Sequence, residues 1–369
     1  MKLRASQEGF RRVCVLTGGG DAPGINAVLR GFVKACDDLG VEVYGSEDGF
    51  DGLIQRRPLA RLSRASVRGI LPKGGSILGC SNRSNPFAFP VRDQAGSQDV
   101  KDVSKHVVRH LRRHAIDALV LVGGDGTMRL AQAFAELGVN VVVVPKTIDN
   151  DLQGTDCTFG FDTALNTATW AIDALHSTAE SHERVMVVEV MGRDAGWIAL
   201  CAGIAGGADV VAIPEIPYDI ERIVNKIEER SKRGARFSIV VVGEGARPRG
   251  GARSLLARAR KKRPPRLGGA GQALASQLEG RISHEIRVTV LGHLQRGGSP
   301  SAFDRLLGTR FGVRAASCCG RGQSGVMVAL RGQDIVEVPL DAALSSPRLV
   351  PPQGELVEVA RRIGIEVGA

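Results

Sequence analysis

The chain is poor in aromatic residues, which make up 4% of its 369 positions and include only two Trp and two Tyr. Surfaces that bind single-stranded nucleic acid stack successive bases on such side chains, so that function has little to build on. No apolar run approaches the roughly 18 residues that would cross a bilayer. The stretch from Met1 to Val13 is polar and basic, without the apolar centre of a secretory leader. The seven cysteines (Cys14, Cys36, Cys80, Cys157, Cys201, Cys318 and Cys319) are odd in number and show no metal-ligand spacing. Four of them sit in apolar stretches and read as small core residues, and the adjacent Cys318 and Cys319 read as helix packing. Such cysteine usage suits a reducing compartment, so a cytoplasmic protein is expected. There is no repeat at a fixed period, which sets solenoids and propellers aside.

A basic surface spread over the whole fold is also missing. The net charge is +10, but the segment Arg247 to Arg266 holds nine Lys or Arg and no acid, which leaves +1 for everything else. Its sequence, RPRGGARSLLARARKKRPPR, is rich in Gly and Pro and reads as a solvated surface loop. A nucleic-acid partner is therefore not expected.

What is present is an α/β pattern in a chain long enough for two cores. Short β-branched runs alternate with helical periodicity, the signature of βαβ units. Arg12 to Leu16 reads as a strand ending in the turn Thr17 to Asp21. Ile25, Val28, Leu29, Phe32, Val33 and Cys36 then recur at helical spacing, and Gly40 ends that helix. Ala118 to Val122 and Val139 to Val144 read as further buried strands. Between them lies a helix that stops at Gly138, and Pro145 breaks the second strand. A long helix is expected over 162–181, with strands over 184–191, 210–213, 237–242 and 286–291. The reading is α/β, with two doubly wound Rossmann-like lobes, parallel sheets, and sites at the carboxyl ends of the strands.

Three turns carry chemistry. TGGGDAPGIN, Thr17 to Asn26, places three glycines between a strand and a helix, where backbone N–H groups and the helix start attract an anion. It is neither GxGxxG nor a Walker loop, and alone it says only phosphate or nucleotide, with a merely tight βα turn as the alternative. GGDGT, Gly123 to Thr127, lets a polyphosphate approach the main chain, with Asp125 placed to hold a divalent cation. Several kinase families share that pentad, so it says little about the acceptor. PKTIDND, Pro145 to Asp151, sets Asp149 and Asp151 beside Lys146 and Thr147, where a carboxylate can take a proton from an attacking hydroxyl.

From Arg12 to about Leu340 the chain closely resembles the phosphofructokinase family, in particular its mixed-type members with GGDGT and PKTIDND. The resemblance rests on GGGDAPGIN, GGDGT, PKTIDND, VVEVMGR (Val187 to Arg193), VVGEG (Val241 to Gly245) and RVTVLGHLQRGGSP (Arg287 to Pro300), in family order and spacing. It implies a glycolytic kinase that phosphorylates fructose 6-phosphate at the 1-hydroxyl from ATP with Mg2+, in a cleft between the lobes. The nucleotide lobe would comprise 1–160 plus 295–345 and the sugar lobe 161–294 plus 346–369.

By the same resemblance, Asp149 is the base, with Thr147, Asp151 and Lys146 alongside, and Arg193 bridges sugar and transferring phosphoryl group. Met191, Gly192 and Glu244 match sugar contacts, and Arg184, Arg287, His293 and Arg296 match the 6-phosphate site. Gly20, Phe50, Arg83, Ser84, Gly124, Asp125, Gly126 and Thr127 match the ATP side, with Asp125 as metal ligand. The chemistry agrees with these roles, since guanidinium forks bind a phosphate dianion with paired, charge-assisted hydrogen bonds.

Pyrophosphate-using members of the family carry Asp at the position of Gly126 and Lys at that of Lys146, whereas many ATP-using bacterial members have Gly at both. This chain pairs Gly126 with Lys146 and is read as ATP-dependent, with pyrophosphate as the alternative donor. A non-catalytic regulatory protein of the same fold would have lost some of Asp125, Asp149, Arg193 or Arg287, and none is missing. The resemblance further implies a homo-oligomer, a tetramer or a dimer, with active sites shared between subunits. Arg30, Lys34, Arg64, Asp209 and Arg233 align with effector-binding positions while Gly69 and Ala235 depart from them, so weak or altered regulation is expected.

Overall fold

The computed structural model describes residues 9–81, 84–92, 98–257 and 266–368. The chain divides into two compact units, one of residues 1–147, 152–160 and 296–347, the other of 148–151, 161–295 and 348–369.

In chain order the strands are β1 (Arg12–Thr17), β2 (Glu42–Gly45), β3 (Ala60–Leu62), β4 (Phe89–Arg92), β5 (Gln98–Lys101), β6 (Ala118–Gly123) and β7 (Asn140–Pro145). The second unit contributes β8 (Val185–Val190), β9 (Val210–Ala212), β10 (Ser238–Gly243), β11 (Leu255–Ala257), β12 (Arg266–Leu267) and β13 (Ile286–Val290). The chain then returns to the first unit with β14 (Val326–Arg331) and β15 (Asp334–Pro339).

The first unit is built on a seven-stranded sheet of order β15-β14-β7-β6-β1-β2-β3. Its five inner strands are parallel, and the two edge strands β15 and β3 run antiparallel to their neighbours. Successive side chains of β1 point to opposite faces. Val13 and Val15 pack with Phe32 and Phe311 of the helices Ile25–Asp38 and Ala302–Gly320. Cys14 and Leu16 pack with Met128 and Phe134 of the helix Asp125–Glu136 on the other face. A sheet covered on both faces explains why its strands read as continuous apolar runs. The helix Ile25–Asp38 lies close against Ala302–Gly320, because Gly312 presents no Cβ to the backbone of Val28 and Phe32. Cys318 and Cys319 are buried free thiols in that packing.

The second unit holds a four-stranded, all-parallel sheet of order β13-β8-β10-β9. Its C-terminal segment follows the edge of β9, with a parallel bridge between Val210 and Glu366. The Val211 N–H donates to the Glu366 carbonyl over 2.9 Å.

The α/β class with mostly parallel sheets agrees with the sequence reading, and the strands read from sequence are present with ends shifted by a residue or two. Pro145 closes β7 as its last residue rather than lying beyond it. The basic segment has more order than a loop, since β11 and β12 pair antiparallel at its far end. Arg253 is ion-paired with Asp194, and Arg249 lies 3.7 Å from Asp219. Its residues 258–265 lie outside the described residues.

Candidate active site

In the first unit β1 has β2 on one side and β6 on the other. The crevice of such a sheet opens where the chain order reverses, at the carboxyl ends of these strands. The first two glycine-rich turns leave the sheet there. The Gly18 N–H donates to the Val122 carbonyl at 2.9 Å and the Gly19 N–H to the Ser81 carbonyl at 3.0 Å. The first of these turns borders a cavity of about 380 Å³ lined by Gly19, Gly20, Asp21, Gly75, Ser76 and Cys80.

Lys146, 3% exposed, donates its Nζ to the Gly20 carbonyl. Arg296 Nη1 donates to the Asp21 carbonyl over 3.0 Å. Asp125 opens the helix Asp125–Glu136 and shares its half-exposed carboxylate with Arg129 Nε at 3.0 Å. Thr127 is buried behind Gly18. Among the described residues nothing lies within 4 Å of where a Cβ at Gly126 would stand. Ser84 is hydrogen-bonded to Ser81, Oγ to Oγ, at 3.2 Å. Arg83 lies outside the described residues. Burial raises the Cys80 thiol pKa, against the nearby positive charge of Lys146.

Phe50 corrects the expectation of an aromatic near a nucleotide base. Its ring is 2% exposed and stacks on Phe134 at a centroid distance of 5.4 Å, inside the core. The apolar neighbours Leu53 and Met128 make burial the favourable place for it.

The second unit places its candidate residues at the carboxyl ends of β8 and β10. The Met191 N–H donates to the buried Gln295 Oε1 at 2.8 Å, and the Arg193 N–H donates to Glu244 Oε1 at 3.0 Å. Arg193 has φ 51°, a left-handed conformation that costs a non-glycine residue free energy and needs support. Gly245 gives it room, because a Cβ there would collide with the Arg193 carbonyl. The loop Ile148–Asp151 belongs to this unit, with Asp149 5% exposed and Asn150 also left-handed at φ 54°. His293 is exposed in the 3-10 turn Gly292–Arg296 after β13.

Arg184 and Arg287 stand apart from this group. They lie at the amino ends of β8 and β13, where both guanidinium groups hold Glu285, Arg184 Nε at 2.5 Å. The hydrogen bond from Arg184, with the charges of both arginines, keeps the Glu285 carboxyl below the usual range. A six-residue strand at about 3.3 Å per residue spans about 20 Å. That length separates Arg184 from Arg193 within one chain, and a hexose phosphate is far shorter.

Three of the residues expected at an effector site are engaged with their own neighbours. Arg64 is paired with Asp37 and Asp38, Asp209 with Arg230 at 2.8 Å, and Arg233 with Glu229. Arg30 and Lys34 lie on the helix Ile25–Asp38.

Sequence reasoning passed over Ser76 and Cys80 in the cavity wall, although the glycine pair in PKGGSILG signals a further tight turn. It also passed over Gln295, whose signal is the QRGG that holds Arg296.

Glycine-walled turns at helix starts beside a buried lysine are the features of an α/β phosphate-binding protein. The chain belongs to the phosphofructokinase family, which residues 12–319 match. Over 360 residues it is 52% identical to the ATP-dependent 6-phosphofructokinase of Chloroflexus aurantiacus, covering 97% of this chain and 98% of that one. The ATP-dependent 6-phosphofructokinase of Mycobacterium leprae is 47% identical over 342 residues, covering 92% and 96% of the two chains. Among solved structures, phosphofructokinase from Saccharomyces cerevisiae matches with a TM-score of 0.78 at 29% identity, over 91% of this chain and 45% of that one. Pichia pastoris phosphofructokinase in the T-state matches at 0.77 and 30% identity, over 97% and 37%. The chain thus spans less than half the length of these two yeast chains.

Proposed function

We propose that the protein transfers the terminal phosphoryl group of ATP to the 1-hydroxyl of fructose 6-phosphate, giving fructose 1,6-bisphosphate and ADP in glycolysis. The names and near full-length similarity of its relatives support the acceptor and the reaction. The observation that carries the donor assignment is the open space at Gly126. A side chain there would crowd the α-phosphate of a nucleotide, and glycine leaves room for it.

In this reading the cavity of the first unit takes the phosphates, held by Gly20, Gly124, Thr127, Ser84 and Arg83, with Lys146 countering their charge. The donor set suits magnesium. Asp125 offers one half-exposed carboxylate at a helix start, and Mg2+ is commonly held by one or two carboxylates plus substrate phosphates and water. Among the described residues no cluster of three or more ligating side chains offers an all-protein cage. When bound at Asp125, the ion would offset the charge of the donor phosphates.

Asp149 takes the proton of the 1-hydroxyl as that oxygen attacks the γ-phosphorus and the bond to the β-phosphate bridging oxygen breaks. Thr147 and Asp151 flank it, and Arg193 steadies charge on the moving group. Met191, Gly192 and Glu244 hold the sugar, whose 6-phosphate falls to His293, Arg296, Arg184 and Arg287. Because Arg184 and Arg287 lie a strand's length from Arg193, they would serve the sugar of a neighbouring subunit in a homo-oligomer with shared sites, a tetramer or a dimer. A cytoplasmic location accompanies this reading, and among the described residues no helix is long and apolar enough to cross a membrane. The self-paired Arg64, Asp209 and Arg233 support weak effector control.

The test is to assay purified protein on fructose 6-phosphate with ATP and with pyrophosphate. A higher kcat/KM with ATP is expected. Preference for pyrophosphate would overturn the donor, and no bisphosphate from either would overturn the function.

A further inference from the structure

The C-terminal segment lies beyond the family match, which ends at residue 319, yet it reaches the loop that carries Asp149 and Asp151. Arg348 touches that loop with its backbone and with its side chain. Its backbone N–H donates to the Asp151 carbonyl at 2.8 Å, and its Nη1 donates to the Asn150 carbonyl at 3.2 Å. Its guanidinium lies 4.3 Å from the ring centroid of Trp197, and its own carbonyl accepts from Trp197 Nε1 at 2.9 Å. Two residues on, the Val350 N–H donates to Glu215 Oε1 at 2.9 Å, and the same carboxylate accepts from the Gly196 N–H, just before Trp197. The segment is therefore tied to the start of the helix Trp197–Ala205 at two points.

Asn150 sits left-handed between the two aspartates. A non-glycine residue persists in that conformation when its surroundings over-determine it, and the direction of the Asp149 side chain depends on it. A planar guanidinium stacked on an indole is a stiff donor, since cation–π attraction fixes its plane. Its hydrogen bond goes to a backbone carbonyl, so it constrains the main chain of the loop. We propose that Arg348, braced by Trp197, is a positioning residue that holds the Asp149–Asp151 loop in its reactive conformation. The inference rests on the reading of Asp149 as the base.

The test uses full-length Arg348→Met, Arg348→Lys and Arg348→Ala, assayed with ATP and fructose 6-phosphate. Misplacing a catalytic group by about 1 Å can cost about a hundredfold in rate. Arg348→Met should therefore lose about 10- to 100-fold in kcat, with both KM values within about threefold of wild type. Arg348→Lys, which keeps a cation and a donor but not the planar group over the indole, should recover only part of the loss. Low-millimolar guanidinium should raise the rate of Arg348→Ala but not of Asp149→Ala. A kcat within twofold of wild type in Arg348→Met overturns the proposal. So does a loss in which KM moves in step and neither lysine nor guanidinium rescues.

If the wild type makes no bisphosphate, the functional reading fails by itself. The positioning role is then judged by hydrogen exchange of the amides at 149–152, about tenfold faster in Arg348→Met if the role is right and unchanged if it is wrong. Should Arg348→Met not fold, Arg348→Ala and Trp197→Leu provide the same comparison, and kcat within twofold of wild type in both overturns the proposal.

Discussion

The two ends of β8 are built in opposite ways. At the carboxyl end the main chain is constrained at almost every step, with Gln295 on the Met191 amide, Glu244 on the Arg193 amide, and Gly245 making room for a left-handed Arg193. At the amino end the constraint is lighter. Arg184 and Arg287 are partly exposed side chains sharing the half-exposed carboxylate of Glu285. A backbone turn of the first kind suits a group that must meet a reacting atom to within a fraction of an ångström. A flexible ion pair of the second kind suits an anion anchor, because an incoming phosphate can replace the carboxylate with similar geometry. The contrast separates residues whose loss should lower the rate from residues whose loss should weaken binding.

Four substitutions and one labelling experiment sharpen that contrast. The largest effect is expected at the constrained end of the chemistry. Asp149→Ala should lower kcat by about 10² to 10⁴ while leaving sugar KM within a few-fold, because a general base acts in the transition state. Steady-state kinetics decides this, and near-normal turnover would remove Asp149 from the role.

Arg184→Ala and Arg287→Ala should behave in the opposite sense. A lost hydrogen bond to a charged group costs about 1.5 to 3 kcal/mol, so sugar KM should rise by about 10- to 150-fold with a much smaller change in kcat. A pure kcat defect in both would erase the distinction between the two ends.

Gly126→Asp is the third and acts on the donor. The position has room for the side chain, so a defect there reports on charge rather than misfolding. Like charges 4 Å apart repel by about 4 kcal/mol at an effective dielectric near 20, and even a quarter of that is several-fold in kcat/KM for ATP. Any activity with pyrophosphate should be spared or should rise. Equal loss with both donors would contradict the reading of Gly126.

The smallest effect is a null one. Burial pushes the thiols of Cys14, Cys36 and Cys318 up to about 12 and that of Cys201 to about 11. The thiolate is the reactive form, so its population falls as pH drops below those values. At pH 8 these four should resist alkylation in the native protein and react only on unfolding, as mass spectrometry would show. Rapid native labelling of Cys14 would contradict its place in the core.

Much of the fold is legible in the sequence, for a physical reason. Strands buried on both faces have to be apolar, and the turns at their carboxyl ends have to be glycine-rich where backbones approach closely. β1, β6, β7, β8 and β10 could therefore be read from composition alone, along with the turns that follow three of them. What stayed hidden depends on packing at a distance. The facing of Phe50 is set by Phe134, 84 positions later, and no local pattern tells a ring at a site from a ring in the core. Arg296 reads as part of the QRGG run, yet it donates to the Asp21 carbonyl at the first turn. Edge strands were harder still. β3 and β15 are short or half-exposed and lack the continuous apolar signature. The link from Arg348 to Asn150 joins positions nearly two hundred residues apart, and only the folded chain reveals it.

The central claim is that the two ends of β8 serve different active sites. Subunit complementation tests it most directly. Asp149→Ala and Arg287→Ala proteins, each nearly inactive at low sugar concentration, are mixed and allowed to exchange subunits, with exchange verified by mass-tagged hybrids. If Arg287 completes the site of a neighbouring chain, some hybrid sites regain both residues, and activity should rise well above the sum of the two parents. If hybrids form and activity stays at that sum, both residues act within one chain, and the account of shared sites is wrong.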